Sequence, residues 1–229
     1  VIADRLRQVQ PRTEVVANFP KMTEVDIEPP AWGTRDSVVC YQGAISWERG
    51  LHEMVAAVNQ ADTRLLLAGA FSDEMDCAAV RRLPGWEDVE ELGTLDKSEL
   101  WTMMRRCRAG LVLFHPCPNH TEAQPNKLFE YMAAGLPVVV SNFPMWRELV
   151  EGHRCGWGVD PQNPQVIADV IREHNHLHYQ NHRYHSYLQR RYRLEYQHNL
   201  HMMSYHHHKY YIRQLLSHHP MFQHNPVHS

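Results

Sequence analysis

From residue 38 onward, short apolar runs alternate with longer segments whose apolar residues recur every three or four positions. VVCYQG (38–43) reads as a strand ending in Gly43. In RGLHEMVAAVNQ, Leu51, Met54, Val55 and Val58 keep the i, i+3, i+4, i+7 spacing of a helix buried along one face. RLLLAG (64–69) is the next strand and VEELG (89–93) a weaker one. Asp96 and Glu99 form an approximate capping box before a helix whose buried stripe is Leu100, Met103, Met104 and Cys107. GLVLF (110–114) is a buried strand; HTEAQPNKLFEYMAAGLPVVVS (120–141) supplies a helix and then the strand PVVV (137–140). Asn142, Pro144 and Gly152 bracket a short helix, and CGWGV is a short strand. Asn163 and Pro164 cap and open a last helix, NPQVIADVIREH. Strands alternating with helices in this way predict a doubly wound α/β domain with a parallel sheet over residues 38–175.

Charge divides the chain near the end of that domain. Residues 1–175 carry 17 Lys+Arg against 25 Asp+Glu, whereas residues 176–229 carry 6 against 1 and most of the histidines. The second segment is a His/Tyr-rich tail. Its histidines, His206–His208 included, lack disciplined ligand spacing, so no functional metal site is expected. A basic tail does suit contact with anionic lipid. No run approaches the ~20 apolar residues of a membrane span. Five scattered cysteines (40, 77, 107, 117, 155) read as reduced thiols packed in a core. The expected location is therefore cytoplasmic, with peripheral contact at the inner membrane face. The chain begins at Val1, and residues 1–37 read as the end of a preceding domain and its linker.

The candidate chemistry lies in HTEAQPNKLFE, where seven residues separate Glu122 from Glu130. On one continuous helix eight positions advance about 800°, leaving the carboxylates roughly 80° apart. Pro125 suggests instead that Glu122 sits on a loop and Glu130 about one turn inside the following helix. The two would then reach different parts of one ligand lying across the helix N-terminus. In doubly wound sheets, ligands bind at the carboxyl ends of strands, near helix N-termini. Two loops qualify: GAISWERG, carrying Arg49, and FHPCPNHTEAQPN, carrying His115, His120 and Glu122.

YQGAISWERGLHEMVAAV, LGTLDKSELWTMMRRCRAGLVLFHP, PNKLFEYMAAGLPVVVSNFPMWRELVEG and CGWGVDPQNPQVIADVI together resemble the C-terminal half of family 4 glycosyltransferases. The specific part is the glutamate pair followed by an Ala-Gly-x-Pro-Val-Val turn. The resemblance implies a Rossmann-like domain, one half of a GT-B fold, that binds a nucleotide-sugar donor for transfer with retention and without an essential metal, and a helical tail after it. It implies that Glu130 binds the ribose hydroxyls and Glu122 the donor sugar, a task suited to acceptor-only carboxylates. Arg49 would grip the diphosphate and stabilise it as it leaves, as an always-charged, bidentate guanidinium can. Gly43 and the backbone N–H groups of Ala123, Gln124 and Asn126 complete the implied donor site. Ala44 stands where many members carry arginine, and Lys127 is the candidate substitute for that phosphate contact. The implied partners are the donor, an acceptor (a sugar, a lipid-linked glycan or a small molecule) and a missing N-terminal Rossmann-like domain; nucleic acid is not expected. A non-catalytic nucleotide-binding module and a nucleotide-sugar epimerase are the alternatives.

Overall fold

The apolar runs become strands β1 (Val38–Gln42), β2 (Arg64–Ala68), β3 (Val89–Gly93), β4 (Ala109–Val112), β5 (Val138–Ser141) and β6 (Gly156–Val159). The computed structural model from which they are drawn describes residues 7–11 and 32–176. All five pairings are parallel, and the order is β3-β2-β1-β4-β5-β6. Every residue of β1, β4 and β5 is buried. A strand with both faces covered is largely apolar, which is why these segments show no polar alternation and admit polar side chains only at their ends, Gln42 and Ser141. Edge strand β3 has no fully buried residue.

Helices connect and cover the strands: α1 (Leu51–Gln60), α2 (Glu74–Val80), α3 (Lys97–Arg106), α4 (Pro118–Thr121), α5 (Asn126–Ala133), α6 (Pro144–Gly152) and α7 (Pro164–His176). Helix α1 buries Leu51, Met54, Val55 and Val58, the spacing expected from sequence. It packs on β2 and on α7, while α3 lies against β1 and α5 against β4 and β5. The capping box of α3 is complete: the Asp96 carboxylate accepts the Glu99 N–H at 2.9 Å, and Glu99 accepts the Asp96 N–H at 2.7 Å. Asn163 caps α7, its side-chain oxygen accepting the Val166 N–H at 3.2 Å.

Some local expectations shift. On α3 the indole of Trp101 is buried and Leu100 only half-buried, because the helix turns its widest side chain toward the sheet. Strand β5 begins at Val138 and not at Pro137, since proline has no N–H for the ladder. Pro125 occupies the N-cap position of α5, so Asn126 is its first helical residue. Helices α2 and α4 have no counterpart in the apolar pattern: α2 buries only Val80, and α4 buries nothing. Helix α7 runs one residue past the expected boundary at 175. Most of the expected linker (residues 12–31) and the expected helical tail (177–229) lie outside the described residues. Among the described residues, no helix is long and apolar enough to cross a membrane.

Candidate nucleotide-binding site

Strand order reverses between β1 and β4, and a crevice at the carboxyl ends of those strands is where open α/β sheets bind ligands. The loop after β1 is pinned there by its neighbours. Gly43, at φ +112°, donates its N–H to the Ala68 carbonyl at 2.9 Å. Ile45 donates its N–H to the Ala70 carbonyl at 2.9 Å and accepts the Ser72 N–H at 2.8 Å, which ties this loop to the one after β2. A Cβ on Gly69 would run into the Gly43 carbonyl, so that glycine permits the close approach. The single turn Trp47–Arg49 then ends at Gly50 (φ +77°), whose missing Cβ would collide with the Leu113 carbonyl beyond β4. His115 donates its N–H to the Glu48 carbonyl at 2.8 Å. These contacts fasten the Arg49 turn to the end of β4.

Arg49 therefore stands over the Phe114 ring, its guanidinium carbon 4.9 Å from the centroid. The guanidinium lies near the Tyr41 phenol, whose O–H donates to the Ala44 carbonyl at 2.6 Å. Burial pushes that phenol up to about 12, against the pull of Arg49, so it stays neutral. Below it lies the most unusual group of the site. Lys127, the second residue of α5, is 7% exposed, and its Nζ has no hydrogen-bond partner. The ammonium faces the Tyr41 ring at 3.7 Å and the Phe114 ring at 5.2 Å, and a Cβ on Gly43 would approach it to 3.0 Å. Aromatic faces favour the cation by about 0.5–2 kcal/mol. Desolvation of an ammonium costs several kcal/mol, so burial wins. Loss of solvent, reinforced by Arg49 and only partly countered by Glu130, holds the amine well below the usual lysine range.

Glu130, one turn further along α5, accepts a hydrogen bond from the Gln42 side-chain amide at 2.7 Å. The same Gln42 donates its backbone N–H to the Tyr131 hydroxyl at 2.9 Å. Two bonds thus register α5 against the end of β1 and aim the Glu130 carboxylate. Glu122 caps the C-terminal end of α4, half-buried, and the Ala123–Pro125 loop separates it from α5. Trp146 of α6 holds that loop, its indole N–H donating to the Ala123 carbonyl at 2.6 Å. The Ala123 N–H is already given to the His120 carbonyl at 3.2 Å. Among the described residues the N–H groups of Gln124 and Asn126 have no hydrogen-bond partner. Both loop histidines face inward. The His120 Nδ1 lies 2.9 Å from the His115 carbonyl and its ring against Phe114. His115 is buried against Trp47, with Nε2 3.0 Å from a Glu53 oxygen but off the line needed for a hydrogen bond.

Gly43, Arg49, Lys127 and Glu130, 88 residues apart in sequence at the Gln42–Glu130 link, thus meet at one edge. Sequence reasoning passed over Tyr41, Gln42, Phe114, Tyr131 and Trp146. Gln42 carried a signal: an amide closing a fully buried strand requires a partner. The aromatic residues read as ordinary core, and nothing in their spacing distinguished them. Among the described residues, no group of three or more His, Cys, Asp or Glu could hold a metal ion.

A parallel sheet in this order, with Arg49, the buried Lys127 amine and a fixed carboxylate at its reversal point, defines a Rossmann-like domain with a crevice suited to an anionic ligand. Residues 22–191 match the family described as glycosyl transferases group 1, and the chain belongs to that family. A curated relative is the glycogen synthase of Mycobacterium tuberculosis, 26% identical over 147 residues that cover 61% of this chain and 34% of that protein. The chain thus spans about a third of that relative's length. Among solved structures, the fold is similar to sucrose-phosphate synthase from Thermosynechococcus elongatus (23% identity, TM-score 0.62, 80% of this chain and 46% of that one). It is also similar to Anabaena HepE in complex with UDP (19% identity, TM-score 0.59, 76% and 49%). The described domain is accordingly one half of a GT-B fold.

Proposed function

We propose that this chain is the donor-binding half of a retaining glycosyltransferase that takes its sugar from a nucleoside diphosphate. The observation that carries the reading is the convergence of Arg49 and Lys127 beside the Gly43 turn, with Glu130 held by Gln42 on the adjoining helix. Arg49 and Lys127 take the diphosphate, and Glu130 accepts the ribose hydroxyls. The N–H groups of Gln124 and Asn126 face the phosphates or sugar, and Glu122 holds the sugar hydroxyls. In the transfer, the bond from the anomeric carbon to the diphosphate oxygen breaks and one to the acceptor oxygen forms. The acceptor hydroxyl passes its proton to the departing diphosphate oxygen, and Arg49 stabilises the remaining charge on that diphosphate. With cationic side chains doing this, the reading assigns no essential metal.

That HepE, similar in fold, was solved in complex with UDP supports a nucleotide as the ligand. Calorimetry with UDP, GDP and ADP, each alone and as a sugar conjugate, tests the reading and selects the base. Binding of one nucleoside diphosphate, unchanged by a metal chelator, is the expected result. Failure of all of them to bind would discard it.

A further inference from the structure

We propose that binding of the diphosphate at this crevice is coupled to uptake of one proton by Lys127, so that the site acquires its second full positive charge only with its ligand. The inference rests on the reading of the crevice as a diphosphate site. Its basis is geometric. The Lys127 Nζ is buried, has no hydrogen-bond acceptor, and sits against two ring faces. A buried ammonium left without acceptors sheds its proton in preference to bearing the cost of desolvation. The groups facing it do not supply the missing anion. From β1 comes the neutral Tyr41 phenol, from the 47–49 turn the Arg49 guanidinium, and from the end of β4 the uncharged Phe114 ring. From its own helix comes Glu130, whose carboxylate already accepts from Gln42. Consistently, burial and Arg49 move the amine well below the ordinary lysine range.

A diphosphate supplies what is missing. It carries strong acceptor oxygens, and Nζ lies directly beneath Gly43, the residue with no side chain to block the approach. The phosphate oxygens would accept from the ammonium and offset the neighbouring guanidinium. The proton comes from solvent buffer, and no other bond changes. The open position at Ala44 then makes sense: the charge that an arginine would display permanently is supplied from Lys127 on demand.

The test is calorimetry of the full chain with the nucleoside diphosphate that binds, and with inorganic pyrophosphate. Each is titrated at pH 8.5 in buffers of differing ionisation enthalpy. At that pH the terminal phosphate of a nucleoside diphosphate, whose second ionisation lies near ~6, is already fully ionised, so any proton taken up with it goes to the protein; pyrophosphate still holds a proton there and serves to test binding alone. Between 0.5 and 1 proton per bound ligand is expected, with affinity falling up to tenfold per pH unit above this point. Lys127→Met should bind about tenfold more weakly with no proton uptake. Lys127→Arg, always charged, should bind without uptake and without the pH dependence. Tight binding of nucleotide with no proton exchange in the wild-type chain would overturn this inference and leave the donor-site reading intact. Uptake undiminished in both variants would likewise overturn it, placing the proton elsewhere. Binding of neither nucleotide nor pyrophosphate would overturn both.

Discussion

At the scale of single residues, the proposed function has the two glutamates divide one ligand between them, so their substitutions should separate. Glu130 is held by Gln42 at the β1 edge, whereas Glu122 caps α4 across the Ala123–Pro125 loop. Glu130→Ala should weaken binding of free nucleotide by about 1.5–3 kcal/mol, the scale of hydrogen bonds to a charged group. Glu122→Ala should leave free nucleotide nearly unaffected and weaken only the sugar conjugate; equal losses for both ligands in both variants would reject the division. Lys127 carries a second prediction, in stability. Unfolded lysine keeps its proton to about pH 10.4, while the buried amine loses its proton at lower pH. Between those two points the unfolded chain binds more protons, so stability rises with pH. Lys127→Met should therefore stabilise the ligand-free protein near neutral pH by about 1–3 kcal/mol. That gain should shrink as pH approaches 10, as urea midpoints across pH would show.

At the scale of elements, local signals decide helix ends and backbone sterics decide how loops dock. Helix α3 depends on a reciprocal cap at an exposed site, so Asp96→Ala should cost about 1 kcal/mol by urea denaturation and leave nucleotide affinity unchanged. A shift in affinity would mean that α3 reaches the crevice. Gly50 joins the Arg49 turn to α1 in a left-handed conformation, with the Leu113 carbonyl where a Cβ would lie. Gly50→Ala adds backbone strain of roughly 1–2 kcal/mol and overpacking of about 1–3 kcal/mol. We expect it both to destabilise the fold by that sum and to weaken nucleotide binding, because Arg49 moves with the turn. A variant as stable as wild type would contradict the docking described here.

At the scale of the whole molecule, the chain spans only part of the proteins it resembles. It covers 34% of the length of its glycogen synthase relative and just under half of the GT-B structures it resembles. A diphosphate exposed on one side interacts in high dielectric, where each charge pair contributes only about 1 kcal/mol. Acceptor positioning, which can contribute about 7–11 kcal/mol to catalysis, has no counterpart in the described domain. Residues 1–229 alone should thus bind nucleotide weakly and transfer no sugar. Robust transfer in a product assay would place the complete active site within this chain.

The alternation of apolar runs and helical stripes was enough to locate all six strands, the capped helices α3 and α7 and the α/β class, because burial on both faces forces those patterns locally. It also placed Arg49, Glu122 and Glu130 at strand ends and a helix start, which are visible one segment at a time, whereas Lys127 was singled out only by the family resemblance. Helices α2 and α4 were not legible, for they bury almost nothing and leave no period to read. Nor was strand order, the inward turn of His115, or the hold of Gln42 on Glu130 across 88 positions. Each of these is a contact between segments distant in sequence. Only the folded sheet brings β1, the end of β4 and the start of α5 together, and only that enclosure removes water from Lys127.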